Sequence, residues 1–270
     1  TGRESRKAEA SFRAEYGPAV IDGGRQFYVV PPRYNHVSVD QFRHFLDDEG
    51  LPFSEDGGVF RVVEPRINLS VLQQMVRQSV RSAGVKVHLG ARAPADLLRR
   101  FDRIVVATYA GLNGALADLG IAPAEYKFQV VERPVVRLLG AFRDASVVVI
   151  DGPFGCIDPL DETDLHILGH VVHTIHAENT GFAASVPEHL ASLIDAGLIC
   201  DPAHSRFREV VDDLARWVPG VAEAEYVGSS YVVRCVLAHQ EKTDRRLTLV
   251  RRHDEQVISV LSGKLGTAVR

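Results

Sequence analysis

A chain of 270 residues with 46% hydrophobic positions is long enough to bury a large core, as one large domain or two interleaved ones. Its formal net charge of -4 gives it no broad basic surface, which argues against a nucleic-acid-binding protein. Cys156, Cys200 and Cys235 are odd in number and far apart, which argues against a disulfide framework and a cysteine-rich zinc site and favours the reducing cytoplasm.

The amino-terminal residues predict the body of a helix, because Ala8, Phe12 and Tyr16 recur at a spacing that places them on one face. They contain no apolar core of a signal peptide, and no apolar run in the chain approaches the roughly 20 residues that a membrane-spanning helix needs. Because the chain opens within this helix and without a methionine, we expect it to be a fragment of a longer protein.

Capping signals predict two helices in the first third of the chain. Ser38 and Gln41 form a capping box, and the helix that they begin is predicted to end at Gly50. Asn68 caps the second helix, whose apolar residues share one face until Gly84 ends it. These two helices are the firmest local features of the sequence.

Strands alternate with the helices between residues 59 and 120. Val59 to Val63 predicts a strand, VKVHL (85–89) predicts another, and a short helix is predicted near Pro94 to Arg100. RIVVAT (103–108) is nearly continuously apolar, which is typical of a strand buried on both faces. This part of the chain is therefore predicted to be α/β.

The pattern changes to a β-rich one from about Lys127. Turn signals separate a series of apolar runs: FQVVERPVVRLL, SVVVID, LHILGHVVHTI, SYVVRCVL, RLTLV and QVISVL. Two helices interrupt them, one capped by Ser185 with Glu188 three residues on, and one opening at Asp201-Pro202. The second half of the chain therefore predicts an antiparallel sheet with helices.

Three blocks of sequence carry a resemblance to a known family. The first is the carboxyl-terminal stretch YVGSSYVVRCVLAHQEKTDRRLTLVRRHDEQVISVLSGKLGTAVR, the second is ATYAGLN, from Ala107 to Asn113, and the third is DGPFGCIDP with LGHVVHTIH. In order and spacing these blocks resemble the D-amino-acid oxidase superfamily of FAD-dependent oxidoreductases. The resemblance covers nearly all of the chain.

The resemblance implies a mixed α/β (α+β) fold, in which a partial FAD-binding Rossmann-like domain accompanies a mostly antiparallel β-sheet substrate domain flanked by helices. We expect residues 1–58 to lead into the substrate domain and residues 59–126 to form the partial FAD-binding domain. Residues 127–240 would form the substrate domain, and residues 241–270 would return to the FAD-binding domain.

The cofactor that the resemblance implies is FAD, and two segments match the positions of its contacts. These residues are Ala107, Thr108, Gly263, Lys264, Leu265, Gly266 and Thr267. A helix amino terminus at the second segment would stabilise the negative charge of reduced flavin. The alternative for this segment is an ordinary strand-to-helix turn.

The family's amino-terminal strand, glycine loop and helix have no counterpart here. A GxGxxG loop grips a pyrophosphate by close backbone approach, but the pairs Gly23-Gly24 and Gly57-Gly58 sit in polar stretches and predict turns. Tyr109 stands where many relatives have glycine, and Leu247 stands where a bacterial subgroup of the superfamily tends to have proline. These departures put flavin binding by these 270 residues in doubt.

The resemblance implies a reaction in which hydride passes from a small amine or hydroxy acid, an amino-acid-like substrate, to flavin. Arg234 lies in an apolar strand and needs an anionic or carbonyl partner. A substrate carboxylate or the flavin edge would serve, and the alternative is a buried ion pair with Asp244 or another acid. Arg246, in the sequence TDRR, matches the arginine of a TDxR motif in that subgroup and is the second candidate, with a solvated hairpin charge as its alternative. Both arginines are candidate catalytic residues.

Histidines supply a third candidate and a competing hypothesis. His166, His170, His173 and His176 follow one another closely, but on a strand they do not converge on one ion, so no metal site is expected. His173 is instead a candidate for the substrate pocket, as His176 is. A metal-dependent hydrolase is the hypothesis that these histidines would otherwise support.

Two residues near the amino terminus are candidates for the substrate cavity. Tyr28 and Arg33 lie where relatives form the lip of the substrate cavity, with a plain connecting loop as the alternative. A non-catalytic remnant or interaction domain that does not bind flavin is the main alternative to an enzyme. The substrate and the electron acceptor are not predicted by the sequence.

The missing glycine loop leads to a direct test. We expect the 270-residue chain alone to bind FAD weakly or not at all, because pyrophosphate binding depends on the backbone N–H groups of that loop. The visible absorption spectrum of the purified chain measures this. A yellow protein that keeps flavin through gel filtration would contradict the prediction.

Overall fold

A computed structural model describes residues 2–33, 35–150, 154–240 and 248–262. The helices of this part of the chain are α1 (Gly2–Tyr16), α2 (Val39–Asp48), α3 (Leu69–Ser82), α4 (Ala95–Leu98), α5 (Leu112–Asp118), α6 (Glu188–Ala191) and α7 (Phe207–Leu214). The strands are β1 (Val20–Ile21), β2 (Arg25–Val29), β3 (Phe53–Asp56), β4 (Val59–Val63), β5 (Arg66–Ile67), β6 (Ile104–Val106), β7 (Tyr126–Arg137), β8 (Ala145–Val149), β9 (Gly155–Pro159), β10 (Leu165–His170), β11 (Ile175–Gly181), β12 (Glu225–Leu237), β13 (Leu249–Arg252) and β14 (Val257–Leu261).

The larger sheet is built around the long strand β7. Its described strands lie in the order β11, β7, β10, β9, β8, β2, β4 and β3, and β12 also pairs with β7. Neighbouring strands are antiparallel except for β2 and β8. The predicted mostly antiparallel sheet is therefore confirmed, as is the mixed α/β class.

A smaller sheet joins the middle of the chain to its carboxyl-terminal hairpin. Strand β14 pairs antiparallel with β13 and parallel with β6. Its inner side packs with α5 and with the ends of β7 and β12 in one cluster, which includes Val106, Leu116, Phe128, Cys235 and Val257. The two sheets are thus joined by a continuous apolar core.

Helices cover the larger sheet on both faces. Val210 and Leu214 of α7 pack on one face, against Val136 and its neighbours. On the other face, at the β2–β4 end, Phe42 of α2 meets Phe60 edge-on, with ring centroids 5.0 Å apart. In the described residues no helix combines the length and the apolar character needed to cross a bilayer.

The local capping predictions hold in part. Ser38 and Gln41 make both hydrogen bonds of a capping box, and the Asn68 side chain accepts from the backbone N–H of Val71. The predicted cap at Ser185 is wrong, because α6 begins at Glu188 and the Ser185 N–H donates to Asn179 instead. The α7 helix begins at Phe207, after the predicted opening at Asp201-Pro202.

One strand prediction is wrong, and for a second strand the expected burial on both faces is wrong. Residues 85–89 form no strand, and Leu89 is 88% exposed. The strand within RIVVAT exists as β6, but it lies at the edge of the described smaller sheet and Val105 is 62% exposed. The apolar run therefore predicts the position of β6 correctly. Burial of its second face would need another layer of secondary structure, which the described residues do not form.

The strand at 59–63 also lies elsewhere than expected. Predicted to belong with the partial FAD-binding domain, β4 pairs with β2 and β3 in the larger sheet. Its residues alternate between buried and exposed, so one of its faces contributes to the α2 core. The division of the chain into domains remains a prediction.

The buried carboxylate of Glu132 connects β7 to three other segments. Its side chain has no exposed surface, and it accepts from His176 Nε2 (2.8 Å), Ser205 Oγ (2.6 Å), Ser229 Oγ (2.5 Å) and the Arg206 N–H (2.8 Å). Burial on its own raises the pKa of Glu132, but these hydrogen bonds outweigh it and hold the pKa below its ordinary value. The charged form is therefore part of the fold.

We expect Glu132→Gln to lower the free energy of unfolding by about 3 kcal/mol, because at least one buried donor loses its acceptor. A lowered folded-state pKa contributes stability above the ordinary pKa and loses it as pH falls through the folded value, so the effect should shrink in acid. Denaturant unfolding at neutral and acid pH measures both.

The matched control is Glu225→Gln, on the solvent-exposed end of β12, where the expected change is within about 0.5 kcal/mol. Equal losses from the two substitutions, or a loss at Glu132 that does not shrink in acid, would contradict the prediction.

Candidate functional site

Alternate residues of β7 divide the larger sheet into two chemically different faces. Phe128 and Val136 point toward the smaller sheet and α7, so Lys127, Gln129 and Arg133 point the other way. Residues that are directly paired on neighbouring strands point to the same face of a sheet. The strand register therefore places residues of β9, β11 and β12 on the same face as this second set. We call it the open face, defined by Lys127, Gln129, Arg133, Asp158, Glu178 and Arg234.

Arg234 is held on the open face by a buried amide. Its Nε and Nη2 both donate to Gln129 Oε1, at 2.8 and 2.5 Å, and the guanidinium is half-buried. Gln129 in turn donates from Nε2 to Glu178 Oε2 at 2.9 Å. The other oxygen of Glu178 lies 3.2 Å from Lys127 Nζ.

The charges in this row depend on one another. The hydrogen bond from Gln129 is the main cause that lowers the pKa of Glu178, with Lys127 and Arg234 acting in the same direction. Glu178 is therefore a carboxylate at neutral pH. Two cations, Lys127 and Arg234, thus lie beside this carboxylate on the open face.

A second polar group lies on the open face toward the β2 end. The Tyr28 hydroxyl donates to Glu64 Oε1 at 3.0 Å, and Ser146 Oγ donates to Asp158 Oδ1 at 2.5 Å. Burial raises the pKa of Glu64, although its hydrogen bond from Tyr28 opposes the shift. Tyr28 thus belongs to a strand rather than to a connecting loop, and Arg33 lies beyond the end of that strand.

His173 lies on the other side of the sheet from Arg234. Its Nε2 is 3.4 Å from Asp213 Oδ2 on α7, and His170 Nε2 is 3.0 Å from the same oxygen. His176 is bound to Glu132, also on the α7 side. The structure therefore does not bring these histidines together with Arg234, and the catalytic assignment of His173 remains a prediction that the geometry disfavours.

His170, His173 and Asp213 are nevertheless close enough together to suggest a metal site, with ligand atoms within 4.8 Å of one another. The backbone N–H groups of Val172 and His173 both donate to His170 Nδ1, at 3.2 Å. That nitrogen must carry a lone pair, so the neutral ring bears its proton on Nε2 and donates it to Asp213. A ligating nitrogen cannot carry a proton, which argues against a metal here.

The positions matched to flavin contacts lie at one end of the smaller sheet. Ala107 and Thr108 are exposed directly after β6, and β6 runs parallel to β14. The carboxyl ends of parallel strands, where open α/β sheets bind ligands, therefore meet at this edge. Tyr109 follows with φ of 50°, in the left-handed region that favours glycine.

The remaining predicted positions lie outside the described residues. They are Arg246, Gly263, Lys264, Leu265, Gly266 and Thr267, together with Leu247 and the alternative ion-pair partner Asp244. Because β14 ends at Leu261, the second flavin segment follows that strand in the chain, as the resemblance implied.

Sequence reasoning missed the residues that surround its candidates. Gln129 and Glu132 are polar residues inside an apolar run, the same signal that drew attention to Arg234. Asp213 gave no comparable signal, because it reaches the histidines from a distant helix whose position depends on tertiary packing.

Solved structures share this fold at low sequence identity. Glycine oxidase from Geobacillus kaustophilus matches with a TM-score of 0.59 and 13% identity, over 98% of this chain and 72% of that one. Iminodiacetate oxidase from Chelativorans sp. BNC1 matches with 0.61 and 12%, over 99% and 74%. L-Proline dehydrogenase from P. horikoshii matches with 0.60 and 11%, over 97% and 73%.

No family model matches the sequence, and no curated protein matches it. At identities this low the structural likeness establishes the fold, which agrees with the fold that the resemblance implied.

The tautomer of His170 gives a test of the histidine cluster. Burial lowers the pKa of His170, with His173 adding to the effect, so the ring should stay neutral at neutral pH with its proton on Nε2. Long-range proton–nitrogen NMR correlations distinguish the tautomers. Retention of one zinc ion per chain through dialysis, or a proton on Nδ1, would overturn the assignment.

Proposed function

We propose that this chain forms most of an FAD-dependent oxidoreductase of the D-amino-acid oxidase superfamily, which takes hydride from a small amino-acid-like amine or hydroxy acid. The fold shared with three enzymes named as acting on glycine, iminodiacetate and L-proline supports this proposal. So does the sequence resemblance at both flavin segments.

The observation that carries the proposal is Arg234 on the open face. A guanidinium with five N–H donors binds a carboxylate through two parallel hydrogen bonds. Gln129 Oε1 accepts from Nε and Nη2 of this guanidinium, which fixes its position on the open face. The half-buried setting strengthens a contact with a carboxylate relative to one in bulk water.

Ala107 and Thr108, with Gly263 to Thr267, are the residues that we propose to contact FAD. The exposed backbone after β6 and the left-handed turn at Tyr109 fit a site at the carboxyl ends of two parallel strands. When bound, FAD supplies the hydride acceptor. The sequence contains no GxGxxG motif for a pyrophosphate contact, and we assign that contact to none of its residues.

In this mechanism, the protein's part is orientation and charge. Arg234 fixes the substrate carboxylate, which places the carbon bearing the amine or hydroxyl at a set distance from that anchor. The backbone N–H groups near Gly263 to Thr267 would face the negative charge that develops on the cofactor. Arg246 is proposed as a second cation for the substrate.

A second candidate is a non-catalytic domain that does not bind flavin. It is favoured by the exposed apolar surface of Val105, Leu89 and Phe101, and by the absence of any buried residue in α3. Such a surface suits contact with another layer of protein. A visible spectrum of the full gene product distinguishes the two candidates, because only the first predicts bound flavin that amines reduce.

In the full gene product, Arg234→Leu should lower kcat/KM about 100-fold while flavin stays bound, because an anchoring charge is lost and the buried volume stays apolar. Gly266→Val should instead lower flavin content, because a β-branched side chain blocks close backbone approach. Flavin absorbance and steady-state kinetics with glycine, iminodiacetate and L-proline measure both effects.

The matched control is Arg137→Leu, at the far end of β7, where the arginine pairs with Asp164 and Glu225. It should leave both measurements within about twofold. Loss of flavin or folding in Arg234→Leu, with unchanged substrate affinity in the remaining holoenzyme, would make Arg234 a structural ion-pair residue.

A further inference from the structure

We infer that His170 makes the turn at residues 171–174 sensitive to pH: a neutral ring holds the turn against α7, and a protonated ring releases it. The inference does not depend on the proposed flavin chemistry. It assigns a role to a histidine that the proposed function does not use.

This turn interrupts one edge of β7. Because β12 pairs with β7 along residues 126–137, β10 and β11 must share the opposite edge, β10 at residues 135–137 and β11 at residues 126–131. Between these two strands, residues 171–174 leave the sheet as a turn. The backbone N–H groups of the turn therefore need acceptors other than the carbonyls of β7.

The ring of His170 supplies such an acceptor. Its Nδ1 accepts from the N–H groups of Val172 and His173, each at 3.2 Å, and the Thr174 N–H donates to the His170 carbonyl. On the other side of the ring, Nε2 lies 3.0 Å from Asp213 Oδ2 on α7. The His170 side chain is only 2% exposed, so water cannot replace either contact.

Protonation of the ring would reverse the contact with the turn. Both nitrogens of an imidazolium are donors, so the proton added to Nδ1 would point at the N–H groups of Val172 and His173. These two donors would lose their acceptor, which is costly for a group that water does not reach. Opening of the turn relieves this cost, because it exposes the donors to water.

The charges around the ring act in the same direction. In the described residues, the titratable groups that act on His170 are His173, whose ring centroid is 4.5 Å away, and Asp213. Asp213 also pairs with Arg216 Nη1 at 3.1 Å and lies 3.4 Å from His173 Nε2. In acid, one carboxylate would therefore face three cations.

Strands β9 and β7 bring no further anion to the ring. Strand β9 approaches it with the backbone of Gly155, and the acid that β7 carries on this side, Glu132, is bonded by His176. Burial lowers the pKa of His170, and His173 adds to the effect. The open turn therefore binds the proton more readily than the closed one. The closed turn is thus stable above the ordinary histidine pKa of about 6.5 and loses stability as pH falls below it.

Amide hydrogen exchange of the full chain, followed by NMR and corrected for the intrinsic effect of pH, measures opening of the turn. Between pH 7 and pH 5 the protection of the Val172 and His173 amides should fall about tenfold, because the open turn takes up a proton that the closed turn excludes. Amides paired between β7 and β12 should keep their protection within about twofold.

Two substitutions at one position separate the acceptor from the charge. His170→Asn keeps an oxygen near the place of Nδ1 and cannot titrate, so the two amides should stay protected equally at pH 7 and pH 5. His170→Gln can reach Asp213 but leaves the two amides without that acceptor, so their protection should be low at both values of pH. His173→Asn is the matched control and should keep the fall in acid, because His170 is still present.

A fall in protection that disappears in His170→Asn supports the inference. Protection of the turn that does not change with pH in the parent chain overturns it, as does an equal fall in His170→Asn or the loss of the fall in His173→Asn. An equal fall throughout the β7–β12 pairs also overturns it, because the opening would then be global. If His170→Asn does not fold, the parent chain still decides, since the midpoint of the His170 ring titration must coincide with the midpoint of the loss of protection.

Discussion

Glu132 accepts four hydrogen bonds inside β7, from β11, from β12 and from the residues that begin α7. An ionised carboxylate is costly to bury, and these donors are what make its burial tolerable. Because they come from three separate segments, the same contact fixes β11 and β12 against β7 and seats the amino terminus of α7 on the sheet. Gln129 lies three residues earlier on the opposite face, so the register of the open face depends on this buried anchor.

The two faces of the larger sheet differ in how their polar residues are buried. One face buries α7 and the smaller sheet, and its polar residues, Glu132, His170 and His176, are satisfied by other protein groups. The other face leaves Arg133, Asp158 and Glu178 exposed and holds Arg234 half-buried. The groups that stabilise the fold and the polar groups that we propose for ligand recognition thus lie on opposite sides of the same strands, because side chains alternate along β7.

How far sequence predicts this structure depends on how local each feature is. The capping box at Ser38 and the cap at Asn68 could be predicted because they involve neighbours in the chain. The exposure of one face of RIVVAT and the lack of a strand at VKVHL could not be predicted from local sequence. Both depend on which distant elements lie beside these segments in the fold. Arg234 was found because a cation in an apolar strand needs a partner, but its contact with Gln129 could be recognised only from the register between β7 and β12.

The attachment of α3 has a consequence for dynamics. Asp161, in the turn between β9 and β10, accepts from the Leu69 N–H and the Ser70 hydroxyl, so it ties the first turn of the helix to the larger sheet. Beyond that turn the helix buries no residue. A helix tethered at one end by polar contacts opens at a lower free energy than a packed one. We therefore expect amide hydrogen exchange along α3 to be faster at its carboxyl end than in the turns next to Leu69, where Asp161 and the Asn68 cap hold the helix.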